Sequence, residues 1–145
     1  MRLKVTKIVR DPIYSVAGTL MDRPRSDFAD PENIEKCFPR IRSGYNYCEY
    51  GSPDLTGLSP TDRILRLKTI SMANVCGVIV GAMVTVTKER VQVVGEFRPY
   101  GAYAAIATDS MHTLPELALG ARFVLDGEGK ILTVEAWDLV VELAE

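Results

Sequence analysis

From its N-terminus onward the chain alternates apolar and polar residues over long stretches. A period of two belongs to β-strands with one buried face. "RLKVTKIV" at 2–9 starts the pattern with Leu3, Val5 and Ile8, its phase slipping near Thr6. Asp11-Pro12 is a turn signal, and "IYSVAGTLM" at 13–21 resumes as a second strand, with Gly18 hinting at a bulge or bend. From residue 64 onward nearly every run is of this kind: "LRLKTISM" at 65–72, "CGVIV" at 76–80, "MVTVT" at 83–87, "RVQVVGEF" at 90–97, "AYAAIAT" at 102–108, "ARFVLD" at 121–126 and "ILTVEAW" at 131–137. They are short and rich in Val, Ile and Thr, whose side chains suit a pleated surface. "TKER" at 87–90 and "DGEG" at 126–129 predict hairpin loops. "TLPELALG" at 113–120 fits one helical turn capped by Thr113. "DLVVELAE" at 138–145 reads as a last strand or as a short helix with Asp138 as N-cap, its β-branched pair counting against the helix.

The pattern fails between residues 22 and 63, a segment with five of the eight prolines and no long periodic run. Within it, "DPENIEKCF" predicts a short helix. Asp30 is placed to cap it, Pro31 suits its first position, and Glu32 and Glu35 suit the positive end of its dipole. Pro39 ends it. "SPTD" at 59–62 is a second capping signature, Ser59 with Asp62, for a helix of about one turn before the strand expected at 65–72.

Seven or eight short strands with close turns, and no long amphipathic helix between them, argue against a parallel α/β sheet. The expected fold is mainly β: a single-domain antiparallel β-barrel of seven to eight strands spanning 1–145, with one or two short helices in the 22–63 segment lying across one mouth. Closure would remove exposed strand edges. Long ordered segments of this kind are usually functional.

Composition narrows the function classes. A chain of 145 residues and 16.0 kDa is the size of one domain and can hold a core without disulfide or metal. Net charge is −2 and pI about 5.5, which counts against a nucleic-acid partner. The charge is uneven, +3 over residues 1–72 and −5 over 73–145, leaving room for a basic patch over an acidic body. Three cysteines, Cys37, Cys48 and Cys76, with no C-x-x-C pair and no apolar leader, point to a reduced, cytoplasmic protein. The longest apolar stretch, "NVCGVIVGAMVTV", is too short and too glycine-interrupted for a membrane span. Glycine-rich nucleotide loops, a G-x-S-x-G elbow and H-E-x-x-H are absent, so no cofactor is expected. A zinc set of the three cysteines with His112 matches no standard spacing.

The candidate chemistry concentrates in two stretches. In "VVGEFRPYGAYAAIATDSMH" at 93–112, Glu96 and Arg98 interrupt an apolar run. On a strand Glu96, Arg98 and Tyr100 share one face and Phe97 takes the other. If that face lines a barrel, a carboxylate, a guanidinium and a phenol converge in an apolar wall, where an acid or base can be poised. If it faces water, the charges pair with cross-strand neighbours. His112, the one histidine, is the natural proton-transfer candidate; Asp109 is near enough in sequence to orient it, and Tyr103 joins Glu96 and His112 as a catalytic candidate. Asp and Ser here also suit plain turn chemistry.

The second stretch is "FPRIRSGYNYCEY" at 38–50. Arg40 and Arg42 share a face if extended, as do Tyr45 and Tyr47. Arginine forks suit carboxylate or phosphate, yet the same residues are enriched at protein interfaces, so a ligand lid and a subunit contact compete. Arg23 and Arg25 could add to an anion site, with Asp22 and Asp27 partly cancelling them. A nucleophilic Cys48 would need a base, and only His112 could serve.

Two readings follow. In the first, a β-barrel binds a small anionic or carbonyl-bearing metabolite in its lumen and runs acid–base chemistry of isomerase, lyase or cyclase type; Arg98, Tyr100, Arg40, Arg42, Tyr45 and Tyr47 hold the ligand, and Glu96 works with His112 or a tyrosine. In the second, the protein is a non-catalytic subunit or interaction module. A homo-oligomer is expected under either.

Overall fold

The protein was studied as a computed structural model, which describes residues 2–4, 6–10, 13–44, 46–113 and 116–140. Its strands form two antiparallel sheets. β1 (Arg2–Lys4), β7 (Glu116–Leu125) and β8 (Ile131–Val140) make a three-stranded sheet in the order β1-β7-β8. β2 (Thr6–Arg10), β3 (Ile13–Pro24), β4 (Tyr47–Glu49), β5 (Val75–Val86) and β6 (Arg90–Pro99) make a five-stranded sheet in the order β2-β3-β6-β5-β4. Six of these strands have five residues or more; β1 and β4 have three each.

The mainly β, antiparallel architecture is as expected, but no closed barrel forms. Among the described residues the ladders stop between the sheets, which meet there through isolated parallel bridges, Tyr50 with Leu139 and Phe28 with Ile131. A bridge of one residue does not continue a ladder. The sheets are instead joined by packing across one core: Val16, Leu20, Ile79 and Phe97 from the larger sheet against Leu119, Val134, Trp137 and Leu139 from the smaller. The Trp137 indole N–H donates to the Leu20 carbonyl across this interface at 3.2 Å, so the largest core side chain is also polar-satisfied.

Bulges tune which side chains enter that core. An extra residue on one strand turns two neighbours to the same side. The pairing of β3 with β6 shifts between Thr19 and Met21, and Leu20 and Met21 are both buried. The pairing of β4 with β5 shifts between Cys48 and Glu49, where β5 carries the extra residue Cys76, and Val75 and Cys76 are both buried. The runs at 76–80 and 83–87 prove to be one strand, β5, whose register shifts between Val80 and Met83, with Gly81 at φ 62° in the left-handed region that favours glycine.

The described residues also form three α-helices: α1 (Pro39–Ser43), α2 (Pro60–Lys68) and α3 (Ala104–Thr113). The run at 65–72, expected as strand, is the end of α2, an irregular link at 69–71 and the start of a 3-10 turn at Met72–Asn74. The Ser59 hydroxyl caps α2 by accepting the Asp62 amide at 3.1 Å, and Pro60 opens it, as the sequence signature implied. The run at 102–108, also expected as strand, is a turn at 102–103 followed by α3. Gly101 at φ 84° turns the chain after Pro99, and Ala104, Ala105 and Ala107 supply the strongest helix formers. The helix near Pro31 is 3-10 (Pro31–Cys37), without a side-chain cap from Asp30. Both hairpin loops form as expected: Thr87 Oγ1 accepts the Arg90 amide at 3.1 Å, and Asp126 Oδ1 accepts the Glu128 and Lys130 amides at 2.9 Å. The helical turn expected at 113–120 gives way to β7 from Glu116, and β8 runs through Asp138 to Val140. The Asp11-Pro12 turn signal lies outside the described residues. No helix among the described residues is long and apolar enough to cross a membrane.

Candidate functional site

Residues opposite one another in an antiparallel ladder point to the same face. Across the five-stranded sheet Tyr47, Val78 and Arg98 form one row, and Val80, Glu96 and Ala17 the next. Met83, Val94 and Thr19 form the third. Phe97, between Glu96 and Arg98, is wholly buried on the core side. The rows therefore occupy the outer face. Met83 is 62% exposed, Tyr100 50% and Val94 37%, so this face lies open.

The structure thus unites four of the residues singled out by the sequence. Glu96 and Arg98 form an ion pair, Oε1 to Nε 3.3 Å, and both are partly exposed. Tyr47 stacks on Tyr100 with ring centroids 5.8 Å apart. A second stacked pair, Tyr50 and Tyr103 at 5.9 Å, lies one step along the same two chain segments. The register shift beside Cys48 and Glu49 comes from an extra residue on β5, Cys76, which the pairing of Gly77 with Cys48 and of Val75 with Glu49 passes over.

Other candidates are not brought to this face. Arg40 and Arg42 sit on α1, where positions two apart point to nearly opposite sides rather than one. Arg40 donates through Nη2 to the Lys68 carbonyl at the end of α2, and Arg42 is exposed. His112 lies exposed in the last turn of α3 rather than in a loop. Tyr45 lies outside the described residues. Arg23 is paired with Asp27 at 3.0 Å, and Arg25 donates to the Pro31 carbonyl at 2.9 Å and the Thr87 carbonyl at 3.2 Å, so internal contacts hold both guanidinium groups.

A second constellation escaped the sequence reading. Glu49, Arg122 and Asp138 are each at most 3% exposed. Arg122 grips Asp138 with Nε and Nη2, both at 2.7 Å, reaches Glu49 Oε2 with Nη2 at 2.7 Å and donates through Nη1 to the Thr69 carbonyl at 3.0 Å. Arg66 on α2 grips Glu49 from the other side, at 2.8 and 3.1 Å. The Ser71 amide at 3.0 Å and the Asn74 side chain at 3.4 Å complete the shell of Glu49. Burial works to raise the Glu49 carboxyl, but the hydrogen bonds from Arg66, Arg122 and Ser71 outweigh it and bring it down to about 2. Burial raises Asp138 above its ordinary range against the pull of Arg122. Two guanidinium groups and two carboxylates balance, and Glu49 alone accepts five hydrogen bonds. This network fixes the 66–74 segment to the small sheet and to β4; its groups are engaged with one another rather than presented to a ligand. Its sequence signal was available, because Arg122 and Asp138 interrupt apolar runs just as Glu96 and Arg98 do.

The three cysteines are buried thiols. Burial pushes Cys76 up to about 12, with Asp138 adding to it, and pushes Cys48 well above the ordinary thiol range. Neither is poised as a nucleophile. Among the described residues no His, Cys, Asp or Glu cluster could hold a metal ion. Compared with known families, curated proteins and solved structures, the chain matches none.

Proposed function

We propose that the protein is a non-catalytic interaction module whose working surface is the outer face of the five-stranded sheet. One observation carries this reading: exposed Met83, Val94 and Tyr100 lie on the same open sheet face as the Glu96–Arg98 pair and the Tyr47–Tyr100 stack. Several exposed apolar side chains gathered on one face point to an interaction site more than single scattered ones do. Tyrosine, methionine and arginine are also the residue types that interfaces concentrate. The acid–base reading finds less support, since Glu96 and Arg98 pair with each other on an open sheet face instead of lining a closed lumen.

The test is capture of a partner from the native cells with the tagged wild type, the face variant Met83→Glu/Val94→Arg, and a control variant, Leu132→Glu, on the exposed side of β8. A partner identified by mass spectrometry should be lost with the face variant and kept with the control. Equal capture by all three would reject the reading.

A further inference from the structure

We infer that the occupant of this face is a second copy of the same chain, docked about a two-fold axis that runs parallel to the sheet, over its outer face, and crosses β6 at Phe97. The inference rests on the reading of the outer face as an interaction surface and names its partner.

The order of side chains along β6 leads to the axis. On the outer face the strand presents Val94, Glu96, Arg98 and then, just past its end, Tyr100. Glu96 and Arg98 are two residues apart, about 7 Å along the strand, with Phe97 pointing to the core between them. A two-fold axis perpendicular to the strand at Phe97 reverses the direction of β6 in the second copy. It places Glu96 of each copy opposite Arg98 of the other. It also places apolar Val94 opposite the Tyr100 ring and brings the Met83 end of one sheet to the Tyr47 end of the other, a thioether against an aromatic ring.

The face is therefore self-complementary in charge and in apolar character about one axis, which is the condition for an isologous dimer. The ion pair within each chain, 3.3 Å, becomes half of a ring in which four charges alternate in sign. Charge order, rather than apolar area alone, then sets the register of the two copies. The chain's net charge of −2 opposes this association only weakly.

The experiment is sedimentation velocity on the full chain up to hundreds of micromolar, for the wild type, Glu96→Arg, Arg98→Glu and an equimolar mixture of the two variants. The wild type should dimerise. Each reversal alone puts like charges together twice per dimer and should raise the dimer dissociation constant at least about a hundredfold. In the mixture both arginines of the first variant face both glutamates of the second, so a dimer should form between the variants. That recovery also shows that both are folded, which circular dichroism checks independently.

A monomeric wild type, a dimer indifferent to either reversal, or a mixture that stays monomeric would each overturn the pairing. The broader reading is separated by the capture experiment. A monomeric wild type whose captured partner is still lost with Met83→Glu/Val94→Arg overturns only the self-pairing, while capture that survives the face variant removes both.

Discussion

Arg122 directs its donors wholly into the protein, to Asp138, to Glu49 and to the Thr69 carbonyl. Removing it leaves Asp138 buried without its counter-charge and Glu49 with Arg66 alone, the situation in which breaking a buried pair is costly. Arg122→Met should lower the unfolding free energy by about 3–5 kcal/mol in a urea titration with little change in slope. The matched variant Arg98→Met, on the outer face, should cost less than about 1 kcal/mol, since a partly exposed pair contributes little. Equal effects would mean that the buried network carries no special weight. Glu49 adds a pH dependence. Its folded pKa lies near 2, below the ordinary 4.5, so its stabilisation is complete above the ordinary value and is lost as pH falls from about 5 to about 2. Asp138, raised by burial, acts in the opposite sense: its stabilising share is largest at low pH and declines as pH rises through its elevated pKa. Denaturation midpoints across this range should therefore fall less steeply on acidification in Glu49→Gln than in the wild type, and parallel curves would contradict the assignment.

At the scale of elements, α2 is held to the body by polar contacts more than by burial. It buries no residue completely, and Ile64 and Leu65 are 43% and 62% exposed. Its hold on the body comes from the Arg66 fork on Glu49 and from the Arg40 bond to its last carbonyl. Arg66→Ala should therefore speed amide hydrogen exchange across residues 60–74 while β5 and β6 exchange as before; acceleration spread over the whole chain would show that the segment is not a separate cooperative unit. The same helix shows what a local pattern can and cannot reveal. Ser59, Pro60 and Asp62 announce its start, because capping is local chemistry. Its length was illegible, because Leu65 and Leu67 alternate with Arg66 and Lys68 as in a strand, and the residue that decides the matter, Arg66, answers to Glu49 seventeen positions away. On β6 the shared face of Glu96, Arg98 and Tyr100 needed only the parity of a strand. Which way that face points depends on where Phe97 finds its partners, and those partners lie on distant segments.

For the whole molecule, closure was the expectation that failed, and the reason lies in sequence separation. Arg2 pairs with Ala118 and Val16 with Phe97, so each sheet is completed by segments from opposite ends of the chain. Strand runs can be read one at a time; whether their ladders join depends on contacts such as Tyr50 with Leu139, made by single residues. That seam gives the last prediction. Cys48 on β4 and Cys76 on β5 are 0% exposed beside it, and both thiols are shifted upward, by burial first and then by their neighbouring thiol or carboxylate groups. A disulfide reagent requires both access and thiolate, and the native fold withholds both. Cys37, on the 3-10 turn, is 4% exposed and raised by burial and by Asp30. At mildly alkaline pH, Ellman's reagent should react slowly with the native protein and promptly with three thiols in urea. Peptide mapping of partly labelled protein should find Cys37 modified first, through local opening of its short turn. Cys48 and Cys76 should follow together, at a rate that tracks global stability across the Arg122→Met and Glu49→Gln variants. Early labelling of Cys48 with the core strands still protected would show instead that β4 peels from β5 on its own, and that the buried network does not hold the seam shut.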